Sequence, residues 1–224
     1  MKKSILLSLA FALTVFGAAC SQPASNDHAA MNSNGMNHNS MDHSTMDHNS
    51  MPMNSNGMSR MKSDPNAATA PYDLQFIDTM THHHEGAIMM AEMVLKKSQN
   101  EELKKFAQKI IDDQKKENAQ MQEWRDKWYS GKPAAKNMEM PGMADSMKMM
   151  SGGEMKMTEA AAGKDFDLMF VDMMIAHHQG AVVMAKDALA KAEHAEIKTL
   201  AGQIAKAQEA EIKMMNGWKA QWSK

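Results

Sequence analysis

An internal duplication constrains this chain more than any other feature of its sequence. Residues 73–128 repeat at residues 167–222 with a constant shift of 94 positions and no gap. Matching pairs extend from the beginning of each stretch to its end, so the repeat is a structural unit rather than a short motif. Among the pairs are Asp73 and Asp167, Phe76 and Phe170, Met80 and Met174, His83 and His177, His84 and His178, Met90 and Met184, and Trp128 and Trp222.

Each repeat predicts a helical hairpin. A polar break at residues 96–100 interrupts the first repeat and combines two lysines with Asn100, a residue typical of helix caps. One hairpin alone would leave an apolar stripe exposed, whereas two packed hairpins bury both stripes. We therefore expect an all-α, ferritin-like four-helix bundle made of duplicated hairpins at 71–129 and 163–224. The three- and four-residue spacing of the stripe is carried beyond the break by Leu103, Phe106, Ile110, Met121, Trp124 and Trp128.

The N-terminus has the features of an export signal. Lys2 and Lys3 precede an apolar run from Ile5 to Phe16, which has the length of a signal-peptide core and is too short to span a membrane. Small residues then lead to Cys20, the single cysteine of the chain. This order resembles a bacterial lipobox, although Gly17 stands where leucine is usual, and it predicts a lipoprotein signal peptide at 1–20 with a membrane anchor at Cys20. Ordinary cleavage just before the cysteine is the alternative, and either route places the mature protein in the periplasm or cell envelope.

Two segments lack the apolar residues that a folded core needs. Residues 21–70 consist mainly of Asn, Ser, Asp, Met and His, and residues 130–162 contain repeated Gly and Pro breakers. Both are expected to be disordered, the first as a tract and the second as a linker long enough to cross the bundle. The net charge of -2 and the lack of a basic patch argue against nucleic-acid binding.

Methionine is unusually frequent, at 28 of 224 residues. In the N-terminal tract, methionine and histidine both recur every five residues in Met-(Asn/Asp)-His units, and the linker holds eight methionines between 138 and 157. A segment without a core has no packing reason to keep methionine, so metal capture is the simplest interpretation. Repeat expansion without function is the alternative. The candidate ligands of the tract are His38, Met41, His43, Met46 and His48.

The duplicated helices carry a second set of candidate ligands. Met80 precedes His83 and His84 by three and four residues, and Met90 follows His83 by two helical turns, so these side chains share a helix face. The glycine that follows each histidine pair is expected to allow a close approach of another helix. The second repeat supplies Met174, His177, His178 and Met184 at the same spacing, with Met169 and Met173 on a further line through His177. Other helical methionines, such as Met89, Met93, Met121 and Met215, are better explained as core packing.

Polar residues on the partner helix are candidates for orienting the imidazoles. If the first hairpin turns near residue 99, His84 lies level with Gln114, and Glu117 lies one turn further on. Both interrupt an otherwise apolar stripe, which favours hydrogen bonds to metal-binding histidines. A position at the bundle edge explains them equally well. Their equivalents in the second repeat are Gln208 and Glu211.

Imidazole nitrogen and thioether sulfur together favour soft or borderline metals, above all Cu(I). Thioethers need no deprotonation and form no disulfides, which suits an oxidising compartment. Zinc sites more often use cysteine, and a di-iron bundle needs Glu-x-x-His motifs, which the sequence lacks. We therefore expect copper, preferentially Cu(I), with Cu(II) and Ag(I) as further candidates.

The repeated string Asp-x-Met-x-x-His-His-(Glu/Gln)-Gly-Ala-x-x-Met-Ala resembles the bacterial family called domain of unknown function 305 (DUF305), over about residues 72–128 and 166–222. The resemblance implies a ferritin-like bundle that binds and sequesters excess copper. His82 and Ala176 stand where this family often has proline, and Glu85 stands where glutamine is usual. His82 is therefore a candidate additional ligand.

These observations favour a non-catalytic copper buffer or chaperone that supports copper tolerance. Its expected partners are copper ions, the membrane through the lipid anchor, and a copper exporter or oxidase. Two alternatives belong to other classes of protein. One is a metal-dependent oxidase of the ferritin-like class, and the other is an envelope protein-interaction module that binds metal incidentally.

Overall fold

The structure is a computed structural model that describes residues 62–147, 156–157, 159–160 and 162–223. A short 3-10 helix, Ala67–Thr69, precedes four long helices: α1 (Tyr72–Lys97), α2 (Glu101–Tyr129), α3 (Lys164–Lys191) and α4 (Ala195–Trp222). The predicted all-α fold is confirmed, and the described residues contain no strand. The predicted signal peptide, Cys20 and the candidate ligands of the N-terminal tract lie outside the described residues.

Each hairpin turns over a loop of three residues, but the two loops end differently. In the first, the Asn100 side chain accepts hydrogen bonds from the backbone N–H groups of Glu102 and Leu103, at 3.0 and 3.2 Å, and caps α2. His194 is the equivalent residue of the second repeat and makes no such cap. Its ring lies 2.6 Å from a carboxylate oxygen of Asp73 through Nδ1 and stacks on Trp128 at 3.8 Å. This contact ties the second loop to the start of α1.

The two hairpins pack through α1 and α3, which run antiparallel. At one end of the bundle, the Tyr72 hydroxyl on α1 donates to Asp187 near the end of α3, at 2.8 Å. At the other end, the ammonium of Lys97 lies 5.7 Å from the ring centroid of Phe166 near the start of α3. The linker must therefore travel the length of the bundle between α2 and α3.

The expectation of disorder is wrong for residues 62–70 of the N-terminal tract, where Ala67 is buried and the backbone N–H of Asp64 donates to the carbonyl oxygen of Lys136 at 2.8 Å. It is also wrong for residues 132–147 of the linker. Met138, Met140 and Met143 are buried there and belong to the bundle core. The backbone N–H of Ala135 donates to Asp78 at 2.8 Å, and that of Asn137 donates to Thr79 at 2.8 Å. The linker is therefore ordered along α1 despite its Gly and Pro residues, because side chains of α1 accept hydrogen bonds from the linker backbone.

Helix α3 is long and apolar enough to cross a membrane by length and composition, and it alone passes that test among the described residues. However, 61% of its most apolar window is buried inside the bundle. The apolarity of α3 is therefore explained by its contacts with both α1 and α4.

Candidate metal centre

A polar layer divides the bundle core into two apolar halves. The first apolar cluster contains the N-terminal part of α1 and the C-terminal part of α3, and the second contains the opposite parts of the same helices. Between them lie four histidines with relative exposures of 0–1%. We call these four, His83, His84, His177 and His178, the histidine layer.

The two repeats meet within this layer. The ring centroids of His83 and His177 are 3.7 Å apart, whereas each lies 6.3 Å from its own neighbour, His84 or His178. His83 and His177 are equivalent residues, so an approximate twofold axis passes between them. The antiparallel packing of α1 on α3 produces this contact, which no single repeat contains.

A glutamate from the second helix of each hairpin binds the outer histidine. His84 Nε2 lies 2.8 Å from Glu117 Oε2, and His178 Nε2 lies 2.9 Å from Glu211 Oε2. The structure thus sets Glu117, rather than Gln114, as the hydrogen-bond partner of the His84 ring. Side chains lean toward the N-terminus of their own helix, so on two antiparallel helices they lean in opposite directions, and this brings His84 to a residue one turn further along α2. The side-chain oxygens of Gln114 and Gln208 are buried and have no hydrogen-bond partner in the part of the chain that the structure describes.

One glutamate is bound by a cation and the other is not, within the described residues. Lys109 donates to Glu211 at 2.8 Å from the neighbouring hairpin, and its repeat equivalent is Gln203. Burial acts to raise the pKa of Glu211, but hydrogen bonds and charges from His178 and Lys109 outweigh it and leave that pKa below its usual value. The sequence pattern did not single out Lys109, because the two repeats also differ at neighbouring positions such as Gln108 and Gly202.

The two inner histidines are held neutral. Burial lowers the pKa of His83 well below its ordinary value, and the three other imidazoles of the layer lower it further. Burial also lowers the pKa of His177, together with the charges that His178 and His84 would carry. Neutral imidazoles keep a nitrogen lone pair available, which is the form that binds metal ions.

Within the described residues, five ring nitrogens of the layer make no hydrogen bond of good geometry. They are Nδ1 of all four histidines and Nε2 of His177, all of them buried. Buried polar atoms are nearly always paired in folded proteins, and an unpaired one costs roughly 1–3 kcal/mol. This concentration of unpaired nitrogen donors at one level of the bundle marks the layer as the candidate metal centre.

The ordered linker covers one side of the layer. Ser146 is fully buried, and its hydroxyl oxygen lies 3.1 Å from His83 Nε2. The same hydroxyl has two carbonyl oxygens within reach of its single proton, that of Gly142 at 2.9 Å and that of His177 at 3.3 Å. A Cβ at Gly180 would lie only 1.7 Å from the Ser146 oxygen, so this glycine admits the linker rather than a bundle helix. Nothing in the local sequence identified Ser146, because only the tertiary fold brings it to the histidines.

The candidate methionines divide between the two halves of the core. Met80 and Met184 lie in the first cluster, while Met90 and Met174 lie in the second. Met80 and Met90 are ten residues apart, or about 15 Å along α1, so the histidine layer separates them. Each cluster therefore draws methionines from both repeats. Met173 is buried in the second cluster, and Met169 packs against that cluster from a partly buried position.

His82 does not join the layer. Its ring is 15% exposed and lies 3.5 Å from Glu85 on the same helix. Across the described residues, no group of three or more His, Cys, Asp or Glu side chains has the arrangement of a metal site. The candidate donors of the layer and of the two adjoining clusters are imidazole nitrogens and thioether sulfurs, a combination that fits copper or silver better than Zn(II) or Mg(II).

Comparison with known proteins places this arrangement in a family. No curated protein sequence matches the chain. A DUF305 protein from Streptomyces coelicolor, inferred to be secreted, has a similar structure with a TM-score of 0.60 and 28% identity over 67% of this chain and 92% of its own. CopM in its Cu(I)-bound form is 36% identical, with a TM-score of 0.55 over 68% of this chain and 99% of its own. CopM bound to Cu(II) is 37% identical over the same shares, with a TM-score of 0.56. The family model described as domain of unknown function (DUF305) matches residues 73–219, and the chain belongs to that family.

Proposed function

We propose that this protein is an exported copper-binding protein that sequesters or buffers copper outside the cytoplasm and supports copper tolerance. The observation that carries the proposal is the histidine layer, in which five buried ring nitrogens find no hydrogen-bond partner among the described residues. The solved structures of CopM with Cu(I), Cu(II) and silver support copper as the cargo. We further propose that the protein is not an enzyme, and that Cys20 anchors it to the membrane.

Buffering, rather than redox catalysis, is supported by the surroundings of the layer. The four histidines are almost completely buried, and Ser146 closes the side of His83. An oxidase needs open coordination positions where oxygen and substrate meet the metal. Storage needs a site that excludes water and other ligands, which is what this packing provides.

Anaerobic titration of the purified mature chain with Cu(I), in competition with a chromophoric chelator, tests the proposal. Replacing His177 and His178 with alanine should remove Cu(I) equivalents while circular dichroism shows the helices intact. The matched control is His194→Asn, which installs the residue of the first repeat at a histidine outside the layer. Unchanged stoichiometry in the double variant would show that the layer is structural. Sustained oxidation of Cu(I) or Fe(II) under air would favour the oxidase class instead.

A further inference from the structure

We infer that residues 142–147 of the linker form a gate over the histidine layer, and that undocking of this gate limits how fast copper enters and leaves. The segment begins at Gly142, where the backbone φ is positive, and continues through the helical turn that carries Ser146. The gate adds regulation to the proposed copper function, on which it rests, because it controls the rate of metal exchange separately from the affinity.

The gate fills the groove between α1 and α3 at the level of the histidines. Ser146 has 0% exposure, and its Oγ lies 3.1 Å from Nε2 of His83 on α1. The same oxygen lies 3.3 Å from the carbonyl oxygen of His177 on α3. One linker side chain thus contacts both helices and both repeats. Withdrawal of Ser146 would open a path through this groove to His83 Nε2.

Two glycines allow the linker backbone to lie directly on α3. A Cβ at Gly180 would overlap with Ser146 Oγ and with the carbonyl oxygen of Gly142. A Cβ at Gly142 would overlap with the carbonyl oxygen of Gly180 and would lie 3.0 Å from the Cβ of Val183. Because neither position has space for one added carbon, the two backbones close the groove by direct contact.

Long helices close other sides of the layer, and these are more costly to open. Helix α2 covers His84 through the 2.8 Å contact with Glu117, and α4 covers His178 through the 2.9 Å contact with Glu211. Both helices contribute to the apolar clusters on either side of the layer, so lifting one would expose both clusters. The gate places one fully buried apolar side chain, Met143, in the first cluster. Local opening takes the least costly route, which here is the gate.

The linker is held on α1 just before the gate, so the gate can move without release of the whole linker. The backbone N–H of Asn137 donates to Thr79 at 2.8 Å, and its side-chain amide donates to Gln75 at 2.8 Å. The gate itself is held by the Ser146 hydroxyl and the close glycine contact. Gly142 therefore lies at the junction between the anchored part and the movable part.

Exchange kinetics of the mature chain test the gate, with variants on both sides of the glycine contact. Gly142→Ala and Gly180→Ala each place a Cβ in this contact and should shift the gate toward its open state. The control for the first is Gly131→Ala, because Gly131 also has a positive φ but a Cβ there meets nothing within 4 Å. The control for the second is the helical variant Gly217→Ala, which also meets nothing within 4 Å. Circular dichroism verifies that all four variants keep their helices.

Stopped-flow measurements follow Cu(I) transfer from a chromophoric chelator to the protein and back. The fraction that a double alanine variant of His177 and His178 lacks reports the layer. Both gate variants should accelerate uptake and release by about tenfold or more, because the clash raises the population of the open state. The two rates should rise by similar factors, so the affinity should change by less than about threefold.

Diethyl pyrocarbonate, which modifies accessible neutral imidazoles, provides a second measurement on the metal-free protein. His83 should react faster in the gate variants than in the wild type, as read by mass spectrometry of its peptide. His82 and His194 should keep their wild-type rates, because they lie outside the layer and are already partly exposed.

Unchanged exchange rates in both gate variants would overturn the gate while copper binding by the protein stands, whether or not His83 becomes more reactive. Faster release without faster uptake would also overturn it, because that pattern indicates a weakened site rather than an opened path. Equal acceleration in the control variants would mean general destabilisation. If the double variant of His177 and His178 exchanges as much Cu(I) as the wild type, the layer holds no copper, and the proposed function fails together with the gate.

Discussion

The imidazole rings of His83 and His177 lie with their centroids 3.7 Å apart and their planes inclined by 36°, where α1 crosses α3. These two residues occupy the same position in the two repeats, so the duplicated hairpins meet through identical side chains. Both rings are fully buried beside two further imidazoles. A second proton on either ring would therefore place a positive charge in the centre of the core.

This packing predicts that the metal-free protein loses stability in mild acid. The pKa of His83 and His177 is lowered in the folded state below the ordinary value of 6.5. The unfolded chain therefore binds more protons than the folded one below about pH 6.5, and stability falls as pH falls. Two such groups should lower the free energy of unfolding by about 2–3 kcal/mol between pH 7 and pH 5.5.

Urea unfolding of the chelator-treated protein at several pH values measures this dependence. A His177→Asn variant should retain about half of the slope between pH 7 and pH 5.5, whatever its absolute stability. A pH-independent midpoint in the wild type over this range would contradict the prediction. The lowered pKa of Glu211 acts in a separate window, because its stabilising contribution is lost only as pH falls below the usual carboxyl range of about 4.5.

Gly180→Ala should dislodge the linker from the histidine layer. An added Cβ would lie 1.7 Å from Ser146 Oγ and 2.4 Å from the Gly142 carbonyl oxygen. We expect a net destabilisation of about 1–3 kcal/mol and faster proteolysis in the linker, measured by denaturation and limited digestion. The control is Gly217→Ala, where nothing lies within 4 Å and better helix propensity should stabilise by about 0.5–1 kcal/mol. Equal effects of the two substitutions would mean that the linker does not depend on Gly180.

Lys109→Gln, which installs the residue of the second repeat, should strengthen Cu(I) binding at His178 and leave binding at His84 unchanged. Lys109 reaches Glu211 but has no equivalent beside Glu117 among the described residues, so it offsets the negative charge next to His178 alone. Removing this partly exposed cation should raise the affinity at His178 by up to about tenfold. Competition titrations with chelators, read through the imidazole NMR signals of His178 and His84, separate the two positions. An equal gain at both histidines would indicate a general charge effect.

Deleting residues 28–61 should reduce the number of Cu(I) ions bound without affecting the tightest sites. Flexible ligands lose roughly 1–2 kcal/mol of backbone entropy for each residue that binding fixes, so each tract site is expected to be weaker than a preformed bundle site. Stoichiometry and chelator competition measure both quantities, and growth in copper-containing medium measures tolerance. Loss of the tightest site on deletion would make the tract the primary copper ligand.

Cys20→Ala should release the mature protein from the membrane fraction. The prediction follows from the position of this single cysteine after an apolar run and small residues. Cell fractionation followed by immunodetection provides the measurement. The same distribution for variant and wild type would leave ordinary signal cleavage as the export route.

The sequence by itself determined the fold and most residues of the polar layer. The shift of 94 positions showed two equal units, and helical periodicity together with the break at 96–100 made each unit a hairpin. These features could be predicted because the regular period of 3.6 residues per turn determines which residues share one face of a helix. The histidine pairs and the glutamates Glu117 and Glu211 were visible for the same reason, as polar interruptions of apolar stripes.

Only the tertiary structure decided which of those residues meet. Side-chain packing between α1 and α2 selected Glu117 over Gln114 as the hydrogen-bond partner of His84, a choice between neighbouring turns of α2 that a loop of three residues does not specify. The antiparallel packing of α1 and α3 paired His83 with His177 and sent Met80 and Met90 into opposite halves of the core. Ser146 contacts His83 of the histidine layer because hydrogen bonds such as that between Asn137 and Thr79 hold the linker along α1. Such contacts depend on side-chain packing between distant segments, which the period of one helix does not encode.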